Sequence, residues 1–72
     1  QIVKIEDLRD LPQFSVVTPE SLKEMGALRN LKHPVKVLGN GEISVALTVK
    51  AHKYTRSARE KIESAGGDAE VI

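Results

Sequence analysis

Pro34-Val35-Lys36-Val37-Leu38-Gly39-Asn40-Gly41-Glu42-Ile43-Ser44-Val45-Ala46-Leu47-Thr48-Val49-Lys50-Ala51 is the stretch on which the reading of this chain turns. Val35 and Val37 alternate with Lys36 before Gly39-Asn40-Gly41, and Ile43, Val45, Leu47, Val49 and Ala51 alternate after it. Period-two patterning on both sides of an Asn-Gly pair predicts a β-hairpin, because Asn-Gly supplies the positive φ angles that a two-residue turn demands. Downstream, Thr55 or Ser57 caps a helix, Ser57 having Glu60 in capping-box register. Ala58, Ile62 and Ala65 form the apolar stripe of that helix, Gly66-Gly67 ends it, and residues 68–72 return as a strand.

Upstream, Ile2-Val3-Lys4-Ile5 predicts a strand running into one helical turn near residues 6–10, with Leu8 and Leu11 facing inward and Pro12 stopping it. Residues 14–17 read as extended, with Phe14 in the core. Thr18-Pro19-Glu20 starts a helix: a hydroxyl accepts an orphan N–H, proline takes the first helical position, and an acid faces the positive end of the dipole. Leu22 and Met25 fill its buried side, Gly26 ends it, and Leu28 and Leu31 tuck a loop inward. The order of strands and helices predicts an α/β chain: one small domain over residues 1–72, of mixed strands and helices.

Composition bounds the function. The 72 residues carry 11 Lys and Arg against 10 Asp and Glu, a net charge of +1, and no cysteine. A disulfide framework and a thiolate metal site are therefore impossible. His33 and His52 have no clustered acids beside them, which argues against any metal site. Apolar runs fall short of the roughly 20 residues of a membrane span. Ser57, His52 and Asp68 could be drawn as a triad, but no nucleophile-elbow sequence surrounds the serine, so neither catalysis nor a cofactor or small-molecule substrate is expected. Gln1 in place of an initiator Met suggests a piece of a longer polypeptide.

The exception to this neutrality is local. Lys50, Lys53, Arg56, Arg59 and Lys61 crowd the passage from strand to helix, with Glu60 the one acid among them. Cations before a helix N-terminus oppose the dipole, a conflict that a bound phosphate would remove. The candidate nucleic-acid contacts are therefore Lys50, His52, Lys53, Tyr54, Thr55, Arg56, Ser57 and Arg59, with Lys36 and the turn Gly39, Asn40 and Gly41 nearby. A competing reading docks a partner protein on an exposed terminal strand edge, at Ile2-Val3-Lys4-Ile5 or Val71-Ile72.

Val35-Lys36-Val37-Leu38-Gly39-Asn40-Gly41-Glu42-Ile43, Leu47-Thr48-Val49-Lys50-Ala51-His52, Thr55-Arg56-Ser57-Ala58 and Ile62-Glu63-Ser64-Ala65-Gly66-Gly67, in this order, closely resemble the C-terminal domain of large-subunit ribosomal protein fifteen of the bacterial and organellar type. The resemblance implies a structural constituent of the large ribosomal subunit without enzymatic activity, whose fold is a small single domain of irregular mixed strands and helices. It implies ribosomal RNA and neighbouring large-subunit proteins as partners, and residence on ribosomes of a bacterial cytoplasm, plastid or mitochondrion. Members of that family carry a basic, glycine-rich N-terminal extension, which lies outside these 72 residues; the globular part would be its anchor.

Overall fold

Every strand pairing in the molecule is parallel, and this overturns the predicted hairpin. In the computed structural model, which describes residues 1–72, β1 (Ile2–Lys4) pairs with β3 (Lys36–Leu38), and β3 pairs with β5 (Lys53–Tyr54). A second sheet runs β2 (Val16–Val17), β4 (Thr48–Ala51) and β6 (Asp68–Val71). Strands β3 and β4 are each the central strand of a different sheet, so neither has an edge left for the other. Parallel neighbours need long crossovers in place of tight turns, and helix α2 (Arg56–Ser64) lies in the one that carries the chain from β4 to β6.

Gly39-Asn40-Gly41 is a docked loop, not a hairpin turn. The Glu6 N–H donates to the Asn40 carbonyl at 3.1 Å, and a Cβ on Gly41 would lie 2.5 Å from the Glu6 Cβ. The loop is thus pressed against the short 3-10 turn Ile5–Leu8. Beyond it the alternation of Ile43 and Val45 reflects half-burial against the core without strand pairing, and extended pairing starts only at Thr48.

The helices form where their caps predict. Thr18 and Ser21 make a reciprocal capping box at the start of α1 (Pro19–Glu24), with Pro19 at the first helical position. Thr55 caps α2 by accepting the Ala58 N–H at 3.2 Å, whereas Glu60 pairs with Arg56 and leaves Ser57 without the predicted capping box. Asp7 accepts the Lys4 N–H at 3.1 Å and so caps the 3-10 turn.

All 14 buried residues are apolar, so the core is held by hydrophobic burial and close packing alone. Val3 and Val37 face it from one sheet, and Val17, Val49 and Ala51 from the other. Ile5, Leu8, Leu22, Ala58 and Ile62 close it from the helical elements. Helix α2 packs on β3, β5 and β6 and thereby ties the two sheets together. Three apolar residues read as core lie outside it: Phe14 is 78% exposed, Met25 45% and Leu31 49%. Helix α1 ends one residue before Met25, and Phe14 sits in the turn ahead of β2 at φ +66.

Candidate nucleic-acid interface

The chain leaves one sheet and joins the other at His52, between β4 and β5. The N–H groups of His52 and Lys53 both donate to the Val35 carbonyl at 3.1 Å, and the Val35 N–H donates to His52 Nδ1 at 2.9 Å. His52 is therefore fixed by the Val35 backbone, with Nδ1 occupied as an acceptor. Tyr54 follows on β5 and carries its hydroxyl across to the other sheet, against the carbonyls of Val49 (2.8 Å) and Glu70. Thr55 Oγ1 accepts from both Ala58 and Gly39, and Ser57 Oγ lies 3.3 Å from it. Gly39 rests directly on the first turn of α2, where a Cβ would stand 2.8 Å from the Ala58 nitrogen.

The five cations of residues 50–61 do not form one surface. Lys50 projects from β4 beside its register partner Glu70. Arg56 is bonded to Glu60 at 3.1 Å on the exposed side of α2, and both side chains are mostly solvated, so the pair adds little stability. Arg59 lies over the Tyr54 ring, 5.4 Å from its centroid. Lys61 turns toward the loop, donating to the carbonyls of Gly39 (2.8 Å) and Gly41 (2.6 Å) with Glu42 at 3.4 Å. Lys53 alone of the five has another candidate cation as its strand neighbour: Lys36 is its register partner on β3.

That pairing adds Lys4, which is not among the nucleic-acid contacts expected from the sequence. Along β1, Val3 is buried while Ile2 and Lys4 face outward; on β3, Val37 is buried while Lys36 faces outward. Ile2, Lys36 and Lys53 form one outward row, and Lys4 lies on the same face beside Leu38. Lys4, Lys36 and Lys53 are all exposed, and neither of the two salt bridges in the molecule involves them. Adjacent like charges on a sheet are destabilising in isolation. The alternation around Val3 marks Lys4 as outward, but its neighbours lie more than thirty residues away and no local signal names them.

Tyr54 supplies a probe of this junction. Burial raises its phenol above the ordinary value of 10.0, with the Arg59 charge pulling the other way. A raised folded-state value favours the neutral phenol, so the stabilisation is complete below pH about 10 and lost as pH climbs through the folded-state value. With one Tyr and no Trp in the chain, phenolate absorbance is expected to rise at higher pH in the folded domain than in urea, alongside a falling urea midpoint. Coincident titration curves in the two states would contradict this placement of the hydroxyl.

Comparison with known proteins adds identity to this geometry. The family model for ribosomal proteins 50S-L15 and 50S-L18e and their 60S counterpart matches residues 2–70. Large ribosomal subunit protein uL15 of Trichormus variabilis is 53% identical over 70 residues, covering 97% of this chain and 47% of that protein. The protein of the same name from a Synechococcus is 52% identical over 71 residues, covering 99% and 47%, and that of Thermosipho africanus 51% over 72 residues, covering 99% and 49%. The chain spans about half the length of the curated relatives it matches. With nearly every residue inside the family match and about half identical to bacterial relatives, this chain belongs to the ribosomal protein family of 50S-L15 and 50S-L18e.

Proposed function

We propose that the chain is the globular anchor of a structural, non-catalytic component of the large ribosomal subunit. In this reading it contacts ribosomal RNA through the outer face of the β1-β3-β5 sheet. The observation that carries the contact is the set of three unpaired lysines, Lys4, Lys36 and Lys53, two of them register neighbours. A phosphate backbone laid across them removes their mutual repulsion and releases counterions. Lys50 on β4 and Arg56 and Arg59 on α2 stand outside this sheet, while His52, Tyr54, Thr55 and Ser57 hold the junction that sets the lysines in place. Gly39, Asn40 and Gly41 act by positioning: their loop is clamped between Glu6 and Lys61. The relatives' names place those proteins in the large subunit, and neighbouring subunit proteins are the other partners of this reading.

The test is the salt dependence of binding to large-subunit ribosomal RNA by the full-length protein. Replacing Lys4, Lys36 and Lys53 together with Gln is expected to flatten the slope of log affinity against log salt by roughly 2 to 3, at about 0.7 to 0.9 per lost phosphate contact. Replacing the exposed Lys23 and Lys32 with Gln is expected to leave the slope unchanged. A triple variant with the parental slope would place the contact elsewhere.

A further inference from the structure

Phe14 is the only non-glycine residue at positive φ, +66, and its side chain is 78% exposed. A bulky side chain in the left-handed region is strained, and here no burial offsets the strain. The turn nevertheless holds it firmly. The Phe14 N–H donates to the Ala46 carbonyl at 2.7 Å, the Ala46 N–H donates to Gln13 Oε1 at 3.1 Å, and Ser15 Oγ closes the turn onto the Pro12 carbonyl at 2.6 Å. The Thr48 N–H donates to the Ser15 carbonyl at 3.0 Å, continuing the clasp into β4. Two residues on, Val16 is 55% exposed on β2, an edge strand whose second side is unpaired.

We infer that Phe14 and Val16 form a pre-organised anchor for another protein: an apolar pocket takes the ring, beside the open edge of β2. Charge decides between protein and RNA as the occupant. The row across the sheet from Val16 holds Thr48 and Asp68, and the one cation on this face, Lys50, has Glu70 as its register partner, whereas Lys4, Lys36 and Lys53 belong to the other sheet. An acid beside the patch opposes phosphate, whereas aromatic side chains held rigidly are the usual anchors of protein interfaces. The open edge adds main-chain donors and acceptors that a polypeptide can pair. This goes beyond the RNA contact proposed above and involves a different sheet.

The test places a photoreactive diazirine-phenylalanine at position 14 of the full-length protein and irradiates living cells. A nuclease-resistant protein adduct at one defined partner surface is expected. Adducts removed by nuclease, or none, overturn the proposal. A second arm examines Phe14→Gly, which adopts the same φ without strain. Its melting temperature is expected to equal or exceed the parent's, while cross-linking from a probe at Val16 falls at least tenfold. A clear loss of melting temperature would show that the ring is held for the fold, and unchanged cross-linking from position 16 would show that it is no anchor; either result overturns the inference.

Discussion

Gly67→Ala is expected to destabilise the domain by about 3 kcal/mol or more, near the top of the range for overpacking and a large share of the total of roughly 4–11 kcal/mol that a chain this size holds. A Cβ on Gly67 would stand 2.1 Å from the Leu47 carbonyl oxygen, 2.7 Å from its nitrogen and 3.0 Å from its carbonyl carbon. All three are backbone atoms, so no rotamer change relieves the contact. Moving the strand is equally closed off, because the Gly67 N–H donates to the Ile62 carbonyl at 3.0 Å and the Asp68 N–H to the Leu47 carbonyl at 2.9 Å. Those two bonds set the register of β6 against β4, from Thr48 with Asp68 to Ala51 with Val71. Gly26→Ala is the control: nothing lies within 4 Å of its Cβ position, and at φ +83 the cost is conformational, about 1 kcal/mol. Urea unfolding midpoints measure both. Equal losses at the two glycines would mean that β6 has room to move away from Leu47.

What the sequence makes legible follows the range of the forces involved. Thr18 with Pro19, Thr55 and the terminal glycines Gly26 and Gly66 act within one helical turn, and both helices form where they predict. The mixed α/β class and the outward or inward sense of most strand residues are likewise local, since period-two alternation needs no knowledge of a partner. Strand partners are a different matter. The Asn-Gly signal argues for pairing β3 with the chain just after it, but the distant β1 and the later β5 take both of its edges. The two residues of β5, read as the approach to a helix, have no pattern long enough to show a strand. Apolar character alone places Phe14, Met25 and Leu31 inside, although a turn, a helix end and a loop turn them out. The candidate interface divides in the same way. Lys36 and Lys53 are both visible as cations, but only the parallel register sets them side by side and adds Lys4 to their face. Lys61 counts as one more cation until the fold brings the Gly39 and Gly41 carbonyls onto its ammonium from twenty residues away.

Ile62→Ala is expected to cost about 3–4 kcal/mol, within the range for deleting a large aliphatic side chain from a core. Helix α2 buries only two side chains completely, Ala58 and Ile62, so nearly all of its apolar anchorage comes from this one residue, 1% exposed. The helix packs on β3, β5 and β6, and a cavity beneath it loosens both sheets together. Val71→Ala, at a side chain 62% exposed, is expected to fall within about 0.5 kcal/mol of the parent. Ile62→Ala also separates the mount from the contact face. Ile62 bears no charge, so losing it lowers apparent affinity for RNA only through the fraction unfolded, and the salt slope stays parental. Lysine replacement on the β1-β3-β5 face is expected to do the reverse, flattening the slope while the urea midpoint holds or rises slightly as the Lys36–Lys53 repulsion is relieved. If Ile62→Ala flattens the slope at a concentration where the variant is fully folded, α2 itself takes part in phosphate contact, and Arg56 and Arg59 become the residues to replace next.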